Sequence, residues 1–377
     1  MYFQHISLRN WRNFKTAKVN LCPRVFLIGP NASGKSNLLD VFRFLRDIAG
    51  KGLQQAIRSR VSLSAVRCLG ATKYSKIDID VVVAEDEHRW CYRLVLSQDK
   101  NRVPRVVEEK VSRDDSSILD RPSDPDRDDP DRLRQTALEQ VSLNREFRPL
   151  ASFFGTVNYQ HLVPQVIRDP VSFTATQVEN DPFGRDFLLR VWKTNDKTRN
   201  SRLGKIHKAL QAAVPQLDSL KVEQDDTGRP HLVAGWRNWR KTPAGQREDQ
   251  FSDGTLRLLG LLWSCFEGSG PLLLEEPELS LHPAVVRELP RMINRINKAR
   301  KEARQFIIST HSEDLLSDPS IGPDEVLRLD PGEYETQIVV ASEGDRKAMA
   351  EGGLTVADVL LPQAAPKDAV QLSLAFD

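Results

Sequence analysis

The residues best equipped for chemistry lie in 29-GPNASGKSN-37. Lys35 supplies a cation and Ser36 a hydroxyl. Gly29 and Gly34 supply backbone without the Cβ that obstructs left-handed conformations. The amides of such a loop can converge on an anion, and a helix that follows adds its own free amides and dipole. The chemistry implied is capture of a nucleotide's phosphates. Lys35 would reach the β- and γ-phosphates, and the Ser36 hydroxyl would ligate Mg2+.

Three later segments carry groups that fit the same chemistry. The apolar run 272-LLL-274 ends in Glu275 and Glu276. Carboxylates at the C-terminal end of a buried strand sit where parallel sheets bind ligands. One can hold Mg2+ through its water shell, and the next can orient and deprotonate an attacking water. A second apolar strand in 306-FIISTHS-312 ends at His311, which could contact the γ-phosphate and that water. Taken alone, a histidine after a strand is a packed or capping residue. In 251-FSDGTLRLLGLL-262, Ser252, Asp253 and Gly254 open an apolar helix. They read either as an N-cap or as free amides for a second phosphate.

The elements that must position these groups are legible as changes of period. Residues 24–28 form a short, partly β-branched strand. Leu38, Leu39, Phe42 and Leu45 recur at helical spacing, and helix is predicted over 38–60. Strand 2–8 precedes these, joined to strand 24–28 by a polar connection. Runs 77–84, 89–97 and 103–111 alternate or are β-branched and predict an antiparallel sheet. The Asp-, Arg- and Pro-rich stretch 113–131 reads as a solvated, mobile loop. Its interleaved arginines argue against a metal site. Helices are predicted over 131–148 and about 183–213, and a hairpin over 217–225 and 230–240. In that hairpin, 235-GWRNWRK-241 mixes tryptophans with basic residues. Such a mix can stack on bases, but an amphipathic strand explains it as well. Helix 254–266, strand 271–276, helix 283–303 and strand 305–310 restore α/β character. The predicted division is 1–112, 113–245 and 246–377.

The bulk numbers narrow the class. The chain has 377 residues, 54 basic and 52 acidic, for a net charge of +2. That balance gives no global footprint for nucleic acid and leaves room only for a local patch. Cys22, Cys68, Cys91 and Cys265 form no CxxC pair, so reduced thiols are expected rather than a metal or disulfide framework. No apolar run has membrane-spanning length, and the N-terminus lacks the pattern of a signal peptide. A cytoplasmic protein is expected.

The order of parts is phosphate loop, long insertion, S-x-G at a helix start, strand with paired carboxylates, and strand with histidine. This order resembles the ATPase head of the ABC class. More closely, it is similar to the RecF/SMC-like branch and to prokaryotic AAA-type ATPases related to the OLD family. The likeness covers residues 1–50 and about 245–345, with EEPELSLHP and STHS its specific later segments. It implies an α/β P-loop NTPase of ABC-head type, with a mixed sheet core, an antiparallel β subdomain and an inserted helical lobe. It implies ATP and Mg2+ as ligands and ATP hydrolysis as the activity. Gly29, Asn31, Gly34, Lys35, Ser36 and Asn37 would form the Walker A region. Glu275 would take the Walker B acidic position, where Asp is commoner, and ligate Mg2+ with Ser36. Glu276 would be the catalytic base and His311 the switch histidine. Ser252 and Gly254 would be a degenerate signature acting on ATP held by another copy. Gln160 is the candidate for the Q-loop, and Arg12, in 9-RNWRNF-14, for a contact near the nucleotide.

The resemblance further implies a homo-oligomer of ATP-sandwiched heads. The tail 341–363 is too short for the Toprim nuclease of OLD proteins, so no nuclease is expected in this chain. The leading expectation is an ATPase switch for a separate nuclease or toxin in defence against phage or foreign DNA. A RecF-like ATPase acting directly on DNA and an ATP-gated scaffold with slow hydrolysis remain as alternatives.

Overall fold

Hydrophobic side chains recur along the first twenty residues so that Phe3, Ile6, Leu8, Phe14, Ala17 and Val19 are all buried. The chain there forms an antiparallel pair, β1 (Tyr2–Trp11) and β2 (Phe14–Asn20). The sequence suggested only a polar connection over β2, because its lysines and threonine mask the alternation. Strand β3 (Arg24–Ile28) follows and leads through the loop into helix α1 (Lys35–Lys51). The computed structural model describes residues 1–71, 74–169, 181–237 and 244–366. Its chain falls into two units. The first comprises Met1–Val157, Ser269–Leu273 and Arg304–Asp377; the second comprises Asn158–Gly268 and Leu274–Ala303.

The first unit holds two sheets. Strands β4 (Ile77–Glu85), β5 (His88–Gln98), β6 (Pro104–Arg113) and β7 (Ser116–Arg121) extend the opening pair into an antiparallel sheet, ordered β2-β1-β4-β5-β6-β7. Leu8 pairs with Ala17 on one side and Ile79 on the other, which keeps the apolar face in register. That register matters because the Phe3 ring packs tilted against Phe42 of α1, centroids 4.7 Å apart, and against Phe153 at 5.0 Å. Leu38, Leu39, Phe42, Leu45 and Ile48 of α1 are fully buried, each contributing about 2 kcal/mol of transfer free energy.

The strands paired with β3 in its sheet come from the far end of the sequence. Strands β8 (Asn158–Gln160), β9 (Leu217–Gln224), β10 (Pro230–Trp236) and β11 (Ala244–Arg247) intervene in the chain. Then come β12 (Leu272–Glu275), β13 (Phe306–Ser309), β14 (Val326–Pro331) and β15 (Thr336–Val340). In the first unit these give the order β15-β14-β3-β13-β12. Strand β3 lies in the centre, parallel to both β13 and β14, with Leu27 opposite Ser309 and Leu327. Such a strand must be apolar on both faces, which its sequence is. The Leu272 N–H donates to the Gln305 carbonyl at 2.8 Å and admits β12 at its start.

Several predicted elements are corrected. Helix 38–60 breaks at Gly52 (φ +83), because the Glu139 carboxylate lies 2.1 Å from where a Cβ would stand and accepts the Leu53 N–H. Residues 113–131 are largely exposed, as expected, but they form defined elements rather than one loop. Arg121 is buried and bonds Asp126 and Glu109, and Glu109 also accepts from the backbone of Ala137 and Leu138. This ionic cluster fixes β7, a short helix Asp124–Asp128 and a 3-10 turn Pro130–Arg134. The helix expected over 131–148 is replaced by turns, and helix begins only at Arg148–Gly155.

The second unit contains β8, a three-stranded antiparallel sheet ordered β11-β10-β9, and helices Phe187–Lys193, Asp196–Ala213, Asp253–Phe266 and Leu289–Lys298. The single helix predicted over 183–213 is interrupted by Asn195, whose side chain caps the second half by accepting from Lys197 N–H at 3.1 Å.

Candidate functional site

The phosphate loop is built as its residue types demand. Strand β3 ends at Ile28, and Gly29 has φ +153, where a Cβ would come within 2.7 Å of the Leu329 carbonyl oxygen. Gly34 has φ +99 and is the residue from which α1 starts. A Cβ on Gly34 would lie 2.1 Å from the Asn13 side chain. The loop is therefore a cradle that only glycine permits at both ends. Lys35 is buried, and its Nζ donates to the carbonyls of Gly29 at 2.8 Å and Pro30 at 3.1 Å. The Ser33 hydroxyl is buried and has no hydrogen-bond partner. Asn31 and Ser36 are exposed at the loop surface. Asn37 donates from its amide to Asn13 at 2.9 Å.

The other first-unit candidates fall close to this loop in the fold. Thr310 N–H donates to the Leu27 carbonyl at 3.0 Å, which sets the exposed His311 just beyond the ends of β3 and β13. Arg12 has φ +52 and points its guanidinium at Asp40 of α1, 3.0 Å away, and at the Ala65 carbonyl at 3.4 Å. Burial alone would lift the Asp40 carboxyl. Hydrogen bonds and charge from Arg60, with help from Arg43 and Arg12, hold it below the usual carboxylate range instead.

The second unit carries the carboxylates and the S-x-G segment. Leu274 is buried, and Glu275 and Glu276 are half-buried after it. Glu276 sits in the left-handed region at φ +44, a conformation costing a non-glycine residue on the order of 1 kcal/mol. The Tyr159 hydroxyl of β8 donates to the Glu275 carboxylate, and His161 Nδ1 lies 3.3 Å from the Glu275 carbonyl. Gln160 is buried, and its amide donates to Asn158 at 2.8 Å. Ser252 caps its helix by accepting from Thr255 N–H at 3.2 Å. Asp253 is held by Arg168 at 2.5 Å and by Gln165 at 2.8 Å. Gly254 is sterically required, because its Cβ would lie 2.7 Å from the Ser280 carbonyl. Arg257, one turn on, reaches the Glu276 carbonyl at 3.5 Å. Burial pushes its guanidinium pKa down, and Glu278, Asp253 and Glu276 oppose that shift. The helix start and the Glu276 turn are thus packed together.

Sequence reasoning missed Asn13 and Tyr159. Neither belongs to a spacing pattern. Each is found only through a tertiary partner, Ser33 in one case and Glu275 in the other. In the tryptophan-rich hairpin, Arg237 pairs with Asp218 at 3.0 Å and Trp236 meets the Phe251 ring at 6.3 Å. Trp239, Arg240 and Lys241 lie outside the described residues.

The family described as "AAA domain, putative AbiEii toxin, Type IV TA system" matches residues 24–318. The chain belongs to this AAA family. Its similarity to curated proteins runs to the DNA replication and repair protein RecF. It is 37% identical to that of Roseiflexus castenholzii over 86 residues, 22% of each protein. It is 31% identical to that of Lactobacillus johnsonii over 113 residues, 30% of this chain and 28% of the relative. These matches span less than a third of either RecF. Among solved structures, an SMC head bound to the C-winged helix domain of ScpA superposes with TM-score 0.55 at 14% identity, covering 93% of this chain and 99% of that one. The SMC head of Thermotoga maritima superposes at 0.50 with 12% identity, covering 91% and 100%.

The chain is thus an AAA-family protein with the fold of an SMC head, and part of its sequence is similar to RecF. No helix among its described residues is long and apolar enough to cross a membrane. The loop's residues fit the phosphates of a nucleotide. It has a glycine-only cradle, an orphaned buried hydroxyl at Ser33, and a lysine resting on carbonyls it can exchange for phosphate oxygens.

Proposed function

We propose that the chain binds ATP with Mg2+ and hydrolyses it, and that the cycle gates a partner protein. The observation that carries this reading is the phosphate loop. A left-handed Gly34 opens α1, and Lys35 is folded onto the Gly29 and Pro30 carbonyls. Lys35 compensates phosphate charge, and the amides at the start of α1 add their dipole. Ser36 and Glu275 would hold Mg2+, which supplies charge neutralisation at the phosphates. Glu276 acts as the general base on water, and His311 positions that water. Gln160 and Arg12 are assigned to nucleotide sensing, and Ser252 and Gly254 to the nucleotide of a second copy. These roles rest on the family order of motifs and on each residue's local setting.

The family's description includes "putative AbiEii toxin, Type IV TA system", which supports a role in defence; a separate nuclease or toxin as effector rests on the order of motifs alone. The RecF matches favour a second reading, an ATPase that acts directly on DNA. The test of the shared core is ATP binding and phosphate release by Lys35→Ala. Affinity is expected to fall on the order of 10- to 100-fold, as for loss of a charge-assisted contact. Binding at the wild-type level removes the nucleotide reading.

A further inference from the structure

We propose that Asn13 is a positioning residue for the phosphate loop, and that through it the turn between β14 and β15 sets the loop for its anion. This deepens the nucleotide reading above and rests on it. The Asn13 amide is fully used. Its Nδ2 donates to the Ser33 carbonyl at 3.0 Å and to Thr336 Oγ1 at 2.6 Å, and its Oδ1 accepts from Asn37 at 2.9 Å. Its backbone carbonyl accepts from Thr336 N–H at 2.8 Å. One side chain therefore joins the loop, the first turn of α1 and the start of β15.

The contact to Ser33 has a defined consequence. The Ser33–Gly34 peptide is trans. In a planar trans peptide the C=O and the following N–H point in opposite directions. Holding the Ser33 carbonyl thus aims the Gly34 N–H away from Asn13, and it keeps a carbonyl oxygen from turning toward an anion. The clash built in at Gly34 has the same origin, since Asn13 fills the space of the missing Cβ.

The turn that presents Asn13 is itself anchored. Asn10 (φ +58) and Arg12 (φ +52) both take the left-handed conformation. The Asn10 amide donates to the carbonyls of Tyr74 at 2.7 Å and Lys76 at 2.8 Å, and Trp11 Nε1 donates to the Asn37 carbonyl at 2.9 Å. On the other side, the buried Thr336 begins β15, and Glu335 beside it accepts from Thr16 N–H at 3.3 Å. A displacement of the 332–336 turn therefore pulls on Thr336, and Asn13 transmits it to Ser33.

The experiment titrates the full chain with a fluorescent ATP analogue and Mg2+ and records nucleotide-free melting in parallel. Asn13→Ala is expected to weaken binding about tenfold, the loss of one to two well-placed hydrogen bonds. Asn13→Asp keeps the acceptor for Asn37 and loses both donors. It should bind worse than Asn13→Ala above pH 7 and regain affinity relative to it toward pH 5, as protonation restores a donor. A purely structural role gives no such pH profile. Thr336→Val should weaken binding about threefold and be non-additive with Asn13→Ala. If Asn13→Ala destabilises the fold, Thr336→Val alone carries the test. Wild-type affinity in these variants, with Lys35→Ala deficient, overturns the role of Asn13. Wild-type affinity in Lys35→Ala overturns the nucleotide reading instead.

Discussion

Glu275 and Glu276 are adjacent and chemically alike, yet their settings separate them. Glu275 accepts from the Tyr159 hydroxyl, whereas Glu276 is held left-handed with its carbonyl against Arg257. Strain of this kind persists only where surrounding structure imposes it, and here the Glu276 carbonyl is tied by Arg257 and by the Leu279 N–H. Glu276→Gln should bind ATP normally and hydrolyse it about 10²- to 10⁴-fold more slowly, since an amide can orient water but not take its proton. Single-turnover phosphate release measures this. Normal hydrolysis by Glu276→Gln, with Glu275→Gln inactive, would reverse the two roles. The carboxylate pair and the phosphate loop can be proposed from sequence because each motif lies within nine residues or fewer. The phenol on Glu275 was not, because Tyr159 is 116 positions away.

Helices whose period runs unbroken are placed correctly from sequence; those predicted over 38–60, 183–213 and 283–303 are drawn too long across local breaks, and segments held by charge are missed. Helix Asp253–Phe266 is apolar along most of its length and announced itself. The 113–131 segment did not, because a run of Asp and Arg normally means solvent. Its order comes from Glu109 and Arg121, whose burial depends on partners up to 29 positions distant. At Gly254 the helix start meets the Ser280 carbonyl, so Gly254→Ala forces the backbone apart. It should cost about 1–3 kcal/mol in urea unfolding. A cost near zero would show that the 276–282 turn is free to move. The α1 ion cluster predicts a pH response. The Asp40 carboxyl is depressed in the folded state, so its stabilising effect is complete above the ordinary value near 3.8 and is lost as pH falls through the lower folded value. Melting temperature should drop more steeply below pH 4 in wild type than in Asp40→Asn. Parallel curves would mean that Arg60 and Arg12 do not hold Asp40 as the structure indicates.

Two copies of the molecule are needed if the S-x-G helix serves a neighbour's nucleotide. Ser252→Arg should then block hydrolysis while leaving ATP binding intact. Mixed with Lys35→Ala, it should recover up to one working site per mixed dimer, read as phosphate release. No recovery from dimers shown to be mixed would make 251-FSDGT-255 a helix cap and nothing more, consistent with the Ser252 contact to Thr255. The arrangement of the chain has a different consequence, for its birth on the ribosome. Strand β3 is made early, yet both strands that flank it, β13 and β14, begin only at Phe306 and Val326. At ordinary synthesis speeds the nascent β3 waits roughly 15–60 s for its neighbours. During that interval it is an apolar strand with two open edges, and the loop after it lacks the Leu329 wall. Nascent chains stalled before residue 326 should therefore be incapable of retaining nucleotide and should recruit chaperones, however long they are given to fold.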